Sequence, residues 1–377
     1  MKKILLGNLF LLICLTLSSC NKEEAVDKIQ NPSEVSHIQD KPLYKTTVPY
    51  KEGVAKSLFL NNIPNPLDKD LIGVGQWAFL DPHFSSNEVY IQSGQYLNSK
   101  ILNSFTERKS DENPNGLNPS ISRINNAKNV TETLNAEKNN PKIFSHIHEQ
   151  NITDKEGNLL GMSLSIALNE VYYIRGNIDD LYYSDEVVLN EKGLLNEGKK
   201  IGEKLVNQIK KNEEIPDVPI LITLYKQENA DSQKPGIFLS KAYTNSNKIK
   251  WEDLNNKNYT FNYKNTDNVK AYDPQTFSEF ITLYEEVQDN FKILNPKVYG
   301  VGSYRDDELS DFKVNIHAPF ITYPQTIGLV QLVSSFISAQ KITPEIPLKV
   351  YIYGLNNELV SWILWDPEEK KVYTEII

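Results

Sequence analysis

Four consecutive residues near the N-terminus have the types and the order that lipid attachment requires. Leu17 is aliphatic, Ser18 and Ser19 are small, and Cys20 follows them. The small side chains let a membrane-embedded signal peptidase reach the backbone between Ser19 and Cys20, and the Cys20 sulfur can carry a diacylglycerol. The pattern predicts a lipobox formed by Leu17, Ser18 and Ser19, with the lipid on Cys20. Its partners would be a diacylglyceryl transferase and a signal peptidase.

The residues before the lipobox predict an export signal. Met1-Lys2-Lys3 is cationic, and Ile4 to Leu17 forms a mostly apolar run of about 14 residues. That run is too short to span about 30 Å of hydrocarbon, but it has the length of a signal peptide's apolar segment. We therefore expect a lipoprotein signal peptide over residues 1–19. An ordinary secretory signal with an incidental cysteine is the alternative.

A cysteine carrying diacylglycerol would hold the mature chain at the membrane, because two acyl chains are enough for stable attachment. The predicted location is the outer face of the cytoplasmic membrane. Residues 20–42 are polar and predict a flexible tether between the lipid and the folded body.

Composition excludes several classes of protein. The chain has 377 residues, 40 basic and 49 acidic side chains, a net charge of −9, and 40% apolar residues. The apolar content is sufficient for a large core, whereas the acidic balance argues against nucleic acid as a partner. Both cysteines, Cys14 and Cys20, lie at the N-terminus, so the body has no disulfide and no Cys-ligated metal.

Histidines and carboxylates in the body have plain structural alternatives to catalysis. On a strand, His146 and His148 would share a face and bind a divalent ion, but no third ligand follows at a fixed spacing, so we expect surface histidines. We expect ordinary polar roles for the remaining candidates, which are His83, His317, Asp179, Asp180, Asp306, Asp307 and Glu308. No Gly-x-Ser-x-Gly elbow or Gly-Lys-Ser/Thr phosphate loop occurs. We therefore predict a non-enzymatic body with no catalytic residue, metal or cofactor.

Aromatic residues leave two interpretations open. There are 20 tyrosines, and pairs of aromatic side chains occur at Tyr172-Tyr173, Tyr182-Tyr183, Tyr351 with Tyr353, and Trp362 with Trp365. Aromatic side chains bury a large area at low entropic cost, so these residues would suit a groove for a peptide or a glycan. Packing across neighbouring strands would use the same residues.

Periodicity predicts an α+β fold with antiparallel sheets and helices packed on one face. We expect an α+β region over 43–150 and a second over 151–377. The second would contain two copies of a β-α-β-β unit, either duplicated or convergent. Each copy has a strand, a helix, an Ile-Pro breaker and two strands. The segments are 162–168, 194–209, 220–225 and 237–239 in one copy, and 312–316, 326–337, 348–353 and 361–365 in the other. Upstream, Val89 to Leu97 predicts a hairpin around Ser93-Gly94.

Several segments of the body, together with the lipobox, resemble the CamS-like sex-pheromone lipoproteins of Gram-positive bacteria. The order and spacing of the segments carry this resemblance, which extends from about residue 44 to the C-terminus. The segments are 44–52 (YKTTVPYKE), 116–120 (GLNPS), 161–173 (GMSLSIALNEVYY), 224–227 (LYKQ) and 325–328 (QTIG).

The resemblance implies two products from one chain. The mature lipoprotein would stay on the membrane, and the released signal peptide would be trimmed to a short hydrophobic peptide, which in the family acts as a conjugation pheromone. The matching segment is Ile13, Cys14, Leu15, Thr16, Leu17, Ser18 and Ser19. It is more polar than the family pattern at Cys14, Thr16 and Ser18, and each polar group left unsatisfied in an apolar receptor pocket would cost about 1–3 kcal/mol.

Overall fold

The computed structural model describes residues 44–121, 130–178, 180–339, 341–342 and 345–377. The predicted signal peptide, lipobox, lipid-attachment residue Cys20 and tether lie outside these residues, as does Asp179. The described helices are α1 (Lys56–Asn62), α2 (Pro66–Gly75), α3 (Ser99–Thr106), α4 (Val130–Asn139), α5 (Glu191–Lys210), α6 (Val269–Tyr272), α7 (Pro274–Asn290) and α8 (Tyr323–Ser338).

The described strands form two six-stranded sheets and one two-stranded ribbon. The strands are β1 (Tyr90–Ser93), β2 (Phe144–Thr153), β3 (Leu159–Asn169), β4 (Val171–Ile178), β5 (Leu181–Val188), β6 (Ile220–Gln227), β7 (Ile237–Thr244), β8 (Glu252–Asp253), β9 (Asn256–Phe261), β10 (Lys297–Arg305), β11 (Glu308–His317), β12 (Leu348–Tyr353), β13 (Leu359–Asp366) and β14 (Lys371–Ile376). The first sheet has the order β1-β2-β3-β6-β7-β8, the second β14-β13-β12-β11-β10-β9, and the ribbon is β4-β5.

The two large sheets share a pattern of pairing. In the first, β2 pairs antiparallel with β3, β3 pairs parallel with β6, and β6 pairs antiparallel with β7. In the second, β10, β11, β12 and β13 follow the same sequence of pairings. Each parallel pair encloses one long helix, α5 or α8, because parallel neighbours need a crossover connection. The predicted α+β class is confirmed. The expectation of antiparallel sheets is wrong at one pair in each sheet, because β3 with β6 and β11 with β12 are parallel. The repeat of a β-α-β-β unit and its origin stay predictions.

The first sheet is covered on both faces. On one face, α5 buries Leu194, Ile201 and Leu205 against the strands. Gly198 permits this close approach, because a Cβ there would lie 2.6 Å from a methyl carbon of Leu168. On the other face lie α1 and α2, and Ile72 of α2 packs with the sheet there. This half of the molecule therefore has three layers.

The second sheet has helices on one face. The helices α7 and α8 bury their apolar side chains against Phe312, Val314 and Ile316 of β11 and against β12. Successive side chains point to opposite faces, so Asp311, Lys313, Asn315 and His317 of β11 lie on the opposite face. On β11, the side chains of that face are exposed or half-buried instead of forming a second core.

The predicted hairpin at Val89 to Leu97 is wrong. Its first half, β1, pairs with β2, and the chain leaves the sheet after Ser93. The buried carboxylate of Glu149 accepts hydrogen bonds from the backbone N–H groups of Gln95, Tyr96 and Leu97, at 3.1, 3.1 and 2.7 Å. These N–H groups are therefore not available to a second strand, and α3 follows at Ser99.

Candidate functional site at the carboxyl ends of the parallel strands

The paired histidines lie under a helix and not on the surface, so this prediction is wrong. His146 is 1% exposed, and both imidazoles of β2 pack against Phe59 of α1, with ring centroids 5.5 Å and 4.5 Å away. Burial lowers the pKa of His146 to about 3 and that of His148 to about 4, so both are neutral at physiological pH. Across the described ranges, no group of three or more His, Cys, Asp or Glu side chains is arranged to hold a metal ion.

Aromatic side chains from the predicted groove are only partly brought together. Tyr351, Tyr353 and Trp362 share the open face of the second sheet. Trp365 lies in the core beneath α8, so its proposed place in a groove is wrong. Tyr172 instead belongs to a cluster with Arg108 and Glu137. Its hydroxyl donates to the Glu137 carboxylate at 2.6 Å and accepts from the Arg108 guanidinium.

Sequence reasoning missed two members of this open face, Tyr299 and His317. The His317 ring is stacked between those of Tyr299 and Tyr353, with centroids 5.7 Å and 4.7 Å away. The three rings come from β10, β11 and β12. Side chains alternate between the two faces of a strand, and this alternation was the sequence signal that could have placed the rings on one face. Because the rings stack on one another, their facing surfaces are already covered, as in ordinary cross-strand packing.

A charged cleft lies where the parallel strands β3 and β6 end. Asn169 and Gln227 are paired as the last residues of these strands, and Glu170 and Glu228 follow them directly. Such carboxyl ends are where open sheets commonly bind ligands. The cleft has a volume of about 550 Å³ and is lined chiefly by Glu170, Lys226, Glu228, Lys234, Thr260 and Asp267.

Each lysine of the cleft lies between two carboxylates. The Lys226 ammonium is 3.3 Å from Glu170 and 3.0 Å from Glu191 of α5. The Lys234 ammonium is 2.9 Å from Asp267 and 4.0 Å from Glu228. Burial raises the pKa of Glu228 to about 7, and the neighbouring Glu170 adds to this while Lys234 and Lys226 oppose it. Glu228 therefore changes its charge near neutral pH.

The loop at the mouth of the cleft, 228–236, is held by two side chains of the N-terminal region. The Asn65 amide donates to the backbone carbonyl of Asn229 at 3.1 Å. The buried Asp68 carboxylate accepts from the N–H groups of Glu228 and Gly236, at 2.9 and 2.6 Å, and from the hydroxyl of Tyr225 at 2.8 Å. Burial raises the pKa of Asp68 to about 6, although these hydrogen bonds oppose it. The first sheet's covering layer thus fixes the cleft.

The corresponding end of the second sheet carries exposed apolar side chains in place of a charged cleft. His317 and Tyr353 are paired as the last residues of β11 and β12. The Nδ1 atom of His317 is 3.2 Å from the side-chain oxygen of Asn357, and its Nε2 atom is buried without a partner. The loops that follow expose Phe320, at the end of β11, and Leu355, at the end of β12.

The chemistry available at these ends is ionic and apolar recognition. In the part of the chain that the structure describes, no helix combines the length and apolar character needed to cross a membrane.

His83, which was predicted to be an ordinary polar residue, stacks on Tyr243 with ring centroids 3.7 Å apart. Asp306 and Asp307 form the turn between β10 and β11, and Asp307 pairs with Lys257 at 2.6 Å.

Comparisons with known proteins find one matching family model and solved structures of similar fold. The family model described as CamS sex pheromone cAM373 precursor matches residues 50–371. A solved sex pheromone precursor from Lactobacillus salivarius subsp. salivarius UCC118 is similar with 23% identity and a TM-score of 0.76, covering 91% of this chain and 98% of that one. The comparison with curated proteins finds no match.

The second solved relative is the C-terminal domain of the sex pheromone staph-cAM373 precursor from Staphylococcus aureus. It is 22% identical with a TM-score of 0.65, and the match covers 84% of this chain and 98% of that one. At such identities the two structures establish the fold, while the family model establishes the family.

Proposed function

The chain belongs to the CamS sex pheromone precursor family, and from this premise we propose that it is a lipid-anchored extracytoplasmic protein whose signal peptide yields a short pheromone-like peptide. The observation that carries the proposal is the combination of a lipobox ending at Cys20 with a family body that begins at residue 50. In this proposal the mature protein lies on the outer face of the cytoplasmic membrane and catalyses no reaction of its own.

Labelled palmitate tests the anchor. The wild-type chain is expected to incorporate the label and to sediment with membranes, whereas Cys20→Ala should lose both properties because it lacks the sulfur that would carry the lipid. Cys14→Ala is the matched control, since Cys14 lies in the signal peptide and leaves with it. A Cys20→Ala protein that remains membrane-bound and labelled would contradict the proposal.

The peptide product has a separate test. Mass spectrometry of the culture medium is expected to find a fragment from the segment Ile13 to Ser19, because this stretch directly precedes the cleavage position. Synthetic peptide of this sequence is then applied to plasmid-bearing responder cells. No aggregation or plasmid transfer above the level of a scrambled peptide would remove the pheromone part of the proposal and leave the anchor intact.

A second candidate function is the binding of a peptide or glycan on the open face of the second sheet. Its support is that Tyr351, Tyr353 and Trp362 share this face with Tyr299 and His317. A ligand that binds the folded protein raises its melting temperature, so a panel of cell-wall glycans and peptides should contain a stabilising member. Trp362→Ala should abolish that shift, and a panel without any stabilising member would count against this function.

A further inference from the structure

Exposed apolar side chains gather at one edge of the second sheet, namely the edge formed by the ends of several strands and not by an outermost strand. Strand β10 begins where β11 ends, because Lys297 is paired with His317, and β12 also ends at this position. The connection before β10 and those after β11 and β12 therefore meet at one edge. They carry Ile293, Phe320 and Leu355, which are 97%, 79% and 55% exposed, and Tyr323, the first residue of α8, is 64% exposed beside them.

Hydrogen bonds shape the two loops that carry Phe320 and Leu355. After β11, the N–H of Ala318 donates to the carbonyl of Tyr353 at 2.8 Å and the N–H of Ile321 donates to the carbonyl of Ala318 at 3.0 Å. Ile321 packs onto the core, whereas Phe320 beside it points away. After β12, the N–H of Gly354 donates to the carbonyl of Glu358 at 2.8 Å, which closes the turn that carries Leu355. The edge is thus shaped before any partner arrives.

The charges of this edge differ from those of the whole chain. Segments 292–297, 318–323 and 354–358 contain two lysines, Lys292 and Lys297, and one carboxylate, Glu358, whereas the chain carries −9. Apolar tips flanked by cations are what an anionic membrane surface attracts, because the tips enter the headgroup boundary and each nearby lysine adds about 1 kcal/mol. A neutral or cationic partner would gain nothing from these lysines.

We propose that this edge of the second sheet docks on the outer leaflet of an anionic phospholipid membrane. The proposal rests on the lipid anchor at Cys20, which keeps the body near that surface. The 24 residues from Cys20 to Leu43 reach at most about 80 Å when fully extended, and that reach permits a body of this size to turn this edge toward the bilayer. Docking then fixes the orientation in which the lipid-anchored protein presents its remaining faces.

Site-specific fluorescence on the lipidated mature chain tests the docking. Ile293→Cys provides a single labelling position, because Cys20 is blocked by lipid and Cys14 is removed with the signal peptide. An environment-sensitive label there is expected to brighten several-fold on vesicles of phosphatidylglycerol and phosphatidylcholine, and to be quenched by nitroxide-bearing lipids. Glu308→Cys is the matched control, since this exposed residue starts β11 at the opposite end of the same sheet, about 30 Å away.

The outcomes separate docking from anchoring. A chain that fails to float with the vesicles would refute the lipid anchor. A chain that floats, with both labels in water or with equal brightening at both positions, would overturn the docking and leave the anchor standing. The combined change Phe320→Asp and Leu355→Asp should return the label at position 293 to an aqueous spectrum, because both substituted side chains are solvent-exposed and their loss leaves the fold intact. An unchanged spectrum would also overturn the proposal.

Discussion

The two large sheets have the same order of strand pairing but differ in what lies on their outer faces. On β3, the outward side chains Ser163, Ser165 and Ala167 are small and almost fully buried beneath the N-terminal helices. At the corresponding positions of β11, counted from the paired strand ends, lie Asp311, Lys313 and Asn315, with no described helix packed above them. The covering layer, rather than the strand order, therefore determines which residues an outer face carries.

Polar bonds fasten the cover of the first sheet. The side-chain oxygen of Gln76 accepts from the hydroxyls of Ser163 and Ser165, at 2.9 and 3.0 Å. Ser165 also lies 2.6 Å from the hydroxyl of Thr223 on β6. Such bonds are directional, so they fix the position of the N-terminal layer more closely than apolar contact alone. No described helix packs on the corresponding residues of β11, so no such bonds are needed there.

The largest expected effect on stability comes from removing the Asp68 carboxylate, whose hydrogen bonds join the N-terminal layer to the first sheet. Asp68→Ala is expected to lower the free energy of unfolding by about 3 kcal/mol, because hydrogen bonds to a charged group contribute about 1.5–3 kcal/mol each and the loss of a buried carboxylate offsets part of this. Urea denaturation at pH 7 measures the change. Asp70→Ala, at an exposed position of the same helix, is the control and should change stability by less than about 0.5 kcal/mol. Equal effects of the two substitutions would show that the cover does not depend on this carboxylate.

A matched pair of substitutions to leucine tests the difference between the outer faces directly. Ala167→Leu forces extra volume between β3 and the N-terminal layer and is expected to cost about 1–3 kcal/mol. Asn315→Leu places the same side chain on the open face of β11, where the expected change is within about 0.5 kcal/mol. Thermal melting of both variants measures the contrast. If Asn315→Leu proves as costly as Ala167→Leu, the second sheet has a cover of its own and the contrast fails.

Much of each sheet could be predicted from the sequence, because alternation and helical periodicity are local. The strand at 162–168 and the helical stripe at 194–209 lie within β3 and α5, and their counterparts 312–316 and 326–337 lie within β11 and α8. The cover could not be predicted, because pairing between Gln76 and Ser163 joins residues far apart in the chain. The burial of His146 was missed for the same reason, since Phe59 reaches it from α1.

The cleft was missed because its residues resemble a solvated surface when read along the chain. Glu170, Lys226, Glu228 and Lys234 are ordinary charged residues in sequence, and only the parallel pairing of β3 with β6 places them together. One signal was available, namely that charges directly follow two apolar strands of the same unit. The predicted set of groove residues was wrong at Trp365 for the opposite reason, since Tyr353 and Trp365 are near in sequence but lie on opposite faces of the second sheet.

The smallest expected effect compares two histidines on the outer faces, His146 of the first sheet and His317 of the second. Burial lowers the folded-state pKa of His146 to about 3, whereas the unfolded chain binds this proton near pH 6.5. The unfolded state therefore holds more protons between these values, so this group's contribution to stability falls as the pH falls, by up to about 1.4 kcal/mol per pH unit below 6.5. Glu228 and Asp68, with raised pKa values, act in the opposite direction over part of the same range.

The difference in the free energy of unfolding between the wild type and each histidine variant separates the contribution of that histidine from the contributions of those carboxylates. Between pH 7 and pH 5, His146→Gln should lose about 1–2 kcal/mol less stability than the wild type, as measured by urea denaturation at both pH values. His317→Gln should change the pH dependence less. Partial burial and Lys297 lower the pKa of His317, but Asn357 opposes them and the ring is half-buried on an open face. The pKa of each histidine depends on how far the layer packed above it excludes water. Equal pH dependence in the two variants would therefore mean that the two faces differ less in solvation than their packing indicates.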